Sequence, residues 1–242
     1  MKVRPNRCLG LFLVLLAVSA ESKDLQTDVA KTQSHMADFM RAASALNSHV
    51  RQLYGIACLD FSTSVLLVCD QMTALQVPQK VISKIRAHAG LLEETAGVHV
   101  NALRETIDSF NRTLTAVNQQ LIFVDAADAS TINELLEAFK WNLTAADANL
   151  EAALTAMLSN GQRVENNVRE ATDKLGGPEI ALIYELIGRC KAKFSTKEAE
   201  ARKSAEILRA LAEVTTMAIN KVVEQLEFEE FNFGQFDLGS ML

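Results

Sequence analysis

The stretch Met36–Val50 reads MADFMRAASALNSHV. Its apolar residues Met36, Phe39, Ala43, Leu46 and Val50 are spaced by threes and fours. An α-helix turns once in about 3.6 residues, so these steps stack the side chains on one face. A strand would instead alternate them between two faces. The pattern extends both ways. Toward the N-terminus it passes Val29 and Leu25, with Thr32 filling a gap. Toward the C-terminus it continues through Leu53, Ala57, Phe61, Val65, Val68, Met72 and Leu75. Pro78 then interrupts it, because its ring disfavours a helical residue before it.

Three further stripes follow. The second runs Ile85, His88, Leu92, Ala96, His99, Leu103, Ile107, Phe110, Leu114, Val117 and Leu121, and ends at the loop VDAADAS, 124–130. Thr131 with Glu134 has the spacing of a capping box and opens the third. That stripe runs Ile132, Leu135, Phe139, Leu143, Ala146, Leu150, Ala153, Met157, Gly161, Val164, Val168, Ala171 and Leu175, and stops at Gly176-Gly177-Pro178. The fourth runs from Ile180 through Ile183, Ile187, Cys190, Phe194, Ala201, Ala205, Leu208, Leu211, Ala218 and Val222 to Leu226. Short connections make neighbouring helices antiparallel. The expected fold is therefore all-α: an elongated antiparallel four-helix bundle of long helices with coiled-coil packing. Breaks are expected, if anywhere, at Gly55, Gly97, Gly161, Gly188, or at Ser195 with Glu198, a second capping-box spacing.

The N-terminus reads as a secretory signal peptide, residues 1–20. Lys2, Arg4 and Arg7 precede an apolar run to Val18, and Ser19-Ala20 is the expected cleavage point. No later stretch reads as a membrane span, and the C-terminus carries neither an ER-retention ending nor a GPI-type tail, so the protein is expected outside the cell. Losing three basic residues from a chain of formal charge −6 leaves −9. That charge repels phosphate, and no basic cluster with interleaved aromatics exists, which argues against nucleic-acid binding. Residues 21–226 form the expected bundle domain. Residues 227–242 form an acidic-aromatic tail bearing Phe228, Phe231, Phe233 and Phe236, which either caps the bundle or docks on a partner.

Three cysteines remain after cleavage. Cys58 and Cys69 are eleven residues apart, about 16 Å along one helix, too far to bond to each other. Cys190 falls at a height between them on the fourth helix. A disulfide from Cys190 to either Cys58 or Cys69 is the expectation, with the third thiol buried or paired between chains. His88 and His99 share the eleven-residue spacing, so they cannot hold one ion, and no metal site is expected. Asn111-Arg-Thr and Asn142-Leu-Thr are glycosylation sequons. No nucleophile elbow, zincin motif or P-loop is present, so no catalytic residue and no cofactor are assigned.

A leader followed by a helix-rich chain with sparse cysteines, as in YGIACLDFSTSVLLVCDQ (54–71) and LIGRCKAKF (186–194), resembles the tsetse EP domain family of secreted insect proteins. The glutamate-proline repeats of that family are absent here. The resemblance implies an extracellular gut, haemolymph or immune-associated protein with no catalytic residues to transfer. The expected function is a secreted, non-enzymatic binding or structural protein whose partner is an extracellular protein or a lipid. The alternative is an exchangeable lipid carrier built from amphipathic helices.

Overall fold

The structure, a computed structural model, describes residues 6–122, 128–173 and 178–235, with side chains over 24–122, 128–173 and 180–228. Among these the chain is all-α. Helix α1 spans Asn6–Tyr54 and passes into a π-helical segment, Gly55–Asp60, then α2, Phe61–Ala74. Helices α3 (Gln79–Ile122), α4 (Ala129–Thr172) and α5 (Pro178–Gln235) follow. Internal contacts divide the chain into two compact units. One gathers Met1–Met40, Arg112–Phe139 and Ala210–Leu242; the other gathers Arg41–Asn111 and Lys140–Arg209. Each unit is made of segments from four long helical stretches.

In the second unit, residue pairs across neighbours run in opposite directions. Tyr54 reaches Glu93 while Asp70 meets Arg86. Asn142 bonds Ser109 while Asn167 bonds His88. Arg209 meets Asp147 while Lys191 meets Glu165. His49 bonds Ser204 while Ser64 touches Cys190. These pairs close an antiparallel ring, with α1–α2 between α3 and α5. In the first unit, Phe39 and Phe139 meet edge to face with centroids 4.9 Å apart, both fully buried. Thr32, the polar residue on the first stripe, is buried because its hydroxyl donates to the Asp28 and Ala218 carbonyls. A buried hydroxyl with partners avoids the desolvation cost of an orphan.

The first stripe is buried as its spacing implies, from Leu25 to Met72. The others are displaced by one residue in places. Ala89 and Val100 face the core where His88 and His99 were expected, Leu136 replaces Leu135, and Ala212 and Ile219 replace Leu211 and Ala218. The histidines lie on the flank, where His88 finds Asn167 at 3.0 Å. An imidazole half in water keeps its polar nitrogens paired more cheaply than one in the core.

The helix ends also correct the sequence reading. Asp128, not Thr131, caps α4: its carboxylate accepts from the Ser130 backbone N–H and the Thr131 hydroxyl. Both bonds favour the ionised form and lower its pKa, the Thr131 bond first. Ser195 makes no break, since α5 continues through it. The turn after α2 closes as a Schellman motif, with Val77 N–H on the Met72 carbonyl and Gln76 N–H on the Thr73 carbonyl. Gln76 takes a left-handed backbone, φ 59°. That conformation costs an L-residue roughly 1–2 kcal/mol, so Gln76→Gly is expected to raise stability by about 1 kcal/mol. Gly97→Ala should gain less than the roughly 1 kcal/mol that helix propensity alone would give, because its Cβ would meet the Tyr54 hydroxyl at 3.1 Å. Denaturant melts of the two variants check both.

By length and composition Asp24–Ala74 could cross a membrane, contrary to the expectation of no later span. Its apolar residues Phe61, Val65, Val68 and Met72 nevertheless lie in the core of the second unit. The acidic-aromatic segment is also not a separate tail at its start: α5 runs on to Gln235. Phe228 is exposed (58 %). The backbones of Phe231 and Phe233 are helical; Phe236 lies outside the described residues.

Candidate functional site

The second unit contains a cavity of about 90 Å³. The π segment and the start of α2 supply Ile56, Ala57 and Phe61, and α3 supplies Leu92. Helix α4 supplies Met157, Leu158, Gly161, Gln162 and Glu165, and α5 supplies Ile187, Cys190, Lys191 and Phe194. Two local features border it. The first is Gly161, where an added Cβ would meet nothing within 4 Å, so the space beside it is unfilled. The second is the π segment, closed by the Phe61 N–H reaching back five residues to the Ile56 carbonyl. A π turn carries one residue more than an α turn and widens the helix locally.

The polar wall is Gln162, Glu165 and Lys191. Glu165 is buried and accepts from Arg169 at 3.1 Å, Lys191 at 3.2 Å and Gln162 at 3.4 Å. Burial pushes its carboxyl up, but the Lys191 and Arg169 bonds outweigh that, and its pKa lies below the ordinary value of 4.5. A depressed carboxylate contributes stability above its unfolded pKa and loses that contribution as pH falls toward its folded pKa. Stability should therefore decline from pH 5 downward, and less steeply in Glu165→Gln. Urea midpoints of the two proteins between pH 3 and 7 measure the difference.

The three thiols Cys58, Cys69 and Cys190 are free and buried, so the expected staple is not formed here. The height argument explains why. Cys190 lies against Ser64, with Sγ 3.2 Å from Oγ. Ser64 lies six residues from Cys58 and five from Cys69, about 9 and 7.5 Å along the helix, so Cys190 sits between the two candidate partners and beside neither. Burial, and then Glu93, push the Cys58 thiol up to about 12, and burial also raises Cys69. Neither thiol is set up as a nucleophile. Among the described residues no group of three His, Cys, Asp or Glu is gathered as metal ligands.

Asn111 is exposed on α3. Asn142 is half-buried, its amide donating to Ser109 at 3.0 Å, so the two sequon asparagines are held at similar heights on neighbouring helices. Trp141, beside Asn142, is 76 % exposed and touches no core.

No protein-family model matches the chain, and no curated protein matches it. Among solved structures, the haptoglobin-hemoglobin receptor of Trypanosoma congolense is similar at 15 % identity and a TM-score of 0.29. The match covers 88 % of this chain and 94 % of that one. A likeness at that level decides neither fold nor function.

The sequence reading assigned Cys190 to a staple and Gly161 to a weak point. It missed that they share a cavity with Glu165 and Lys191. One signal was present. Leu53, Ala57, Phe61 and Val65 are three consecutive steps of four, which on an ideal α-helix drift by about 120°. Only an extra residue in one turn keeps them all inward.

Proposed function

We propose that the chain is a secreted, non-enzymatic binding protein, and that the cavity in its second unit receives the apolar part of what it binds. The cavity is the observation that carries this reading. Packed interiors hold few voids larger than a water molecule. This half-open one is lined by a glycine inside a helix, which costs about 1 kcal/mol relative to alanine. Its small volume suits one apolar group rather than a whole drug-sized molecule, which needs a pocket of about 300 Å³ or more. The leader-like N-terminus and acidic balance support an extracellular setting, with sugar on Asn111 and Asn142.

Methyl NMR of Met157 and Ile187 tests the reading, with an organic extract of the native secretions added. Shifts in the wild-type protein that are absent in Gly161→Leu support it. Equal responses, or none, overturn it.

The lipid-carrier alternative is favoured by one observation of its own. Leu59, Leu66 and Leu67 are exposed on the π segment and α2, and no disulfide ties that stretch to α5. Amphipathic helices that separate can lay apolar faces on lipid. Clearing of zwitterionic vesicles by the intact protein would favour it.

A further inference from the structure

We propose that the ligand of this cavity is a short aliphatic carboxylate, its chain inside and its carboxylate on Lys191. The inference rests on the binding reading above and names the ligand class. Volume sets the chain. A closed cavity of about 150 Å³ admits benzene, so the roughly 90 Å³ of this half-open one covers about four carbons of a chain. Away from Gln162, Glu165 and Lys191 the lining is apolar, apart from the Cys190 thiol.

Charge sets the head group. Glu165 is the one anion of the polar wall, and it is shared between Lys191 and Arg169. Two cations on one carboxylate leave the cluster with one positive charge in excess. Lys191 supplies it, because its ammonium has three donors and its side chain is 62 % exposed, free to turn toward a second acceptor. An ammonium ligand would have to displace Lys191 from Glu165; a carboxylate only adds to it. A neutral alcohol would fill the same space without the charge-assisted bond.

Pentanoate, pentanol and pentylamine, titrated into the intact protein and followed by methyl NMR, separate the claims. Pentanoate is expected to bind best. Lys191→Met should weaken it about tenfold, the equivalent of one charge-assisted hydrogen bond, and leave pentanol unchanged. Gly161→Leu should remove both. Should that variant fold poorly, Gly161→Ala, whose Cβ meets open space, gives a partial loss. Cys190 lines the same cavity, so bound pentanoate should also slow its alkylation by iodoacetamide. Pentanol or pentylamine binding as tightly as pentanoate, or an indifferent Lys191→Met, would sink the carboxylate claim and leave the cavity reading standing. No binding by any of the three would remove both.

Discussion

Phe39→Ala is expected to destabilise the protein by about 3–5 kcal/mol, the range for deleting a fully buried aromatic side chain. Phe39 has no solvent exposure, and its ring meets Phe139 edge to face at an interplanar angle of 65°. The truncation loses the transfer free energy of the ring and leaves a void that helices α1 and α4 cannot close without moving their backbones. Phe139→Ala should cost a similar amount. Together the two should cost less than their sum by about 0.5–1.5 kcal/mol, because the edge-to-face term is counted in each single variant. Urea unfolding of the four proteins gives the cycle. Strict additivity would mean that the rings do not touch in solution.

The second large effect concerns chain length rather than side chains. Deleting Leu59, exposed within the π segment, should leave the protein folded. The segment holds one residue more than an α-helix needs, so its loss converts the turn to ordinary helix and keeps Phe61, Val65 and Val68 inward. Deleting Thr155, exposed in α4, should unfold the second unit. No π turn absorbs that loss, and every later residue turns by about 100°, carrying Met157, Val164 and Val168 out of the core. Circular dichroism and thermal melts of the two deletions report the contrast. Equal tolerance would remove the assignment of the π segment. The cavity should also shrink in the Leu59 deletion, so its ligand response should fall while the fold survives.

These two variants also mark what the sequence discloses. Helix number, direction and the first stripe follow from spacing, because a step of three or four admits little except a helical face. Pro78 ends a helix by sterics that no context removes. Cap identity is less legible. Thr131 with Glu134 and Asp128 with Thr131 are both acceptable caps, and a carboxylate that accepts two donors wins. The histidines were misplaced by one residue because a stripe of threes and fours leaves a choice wherever two neighbours are both tolerable. Ala89 and Val100 take the core because burying an imidazole requires partners there.

The cavity was illegible for a different reason. Gly161 reads as a weak point and Glu165 and Lys191 as ordinary helix residues, and only the alignment of α4 with α5 brings them together. Periodicity gives the face of a helix but not its axial offset from a neighbour. The same offset governed the thiols. It was set correctly enough to place Cys190 between Cys58 and Cys69, and that placement is what keeps it from bonding to either one.

That offset is the premise on which core, cavity and thiols all depend, and one cross-link tests it. Ser64→Cys, in a background with Cys58→Ser and Cys69→Ser, places a thiol where the Ser64 hydroxyl now lies 3.2 Å from Cys190. Oxidation followed by non-reducing mass mapping should find the 64–190 bridge nearly complete, and the wild-type protein should yield three free thiols. A wild-type bridge from Cys190 to Cys58 or Cys69, with none forming in the Ser64→Cys protein, would contradict the register of α2 against α5.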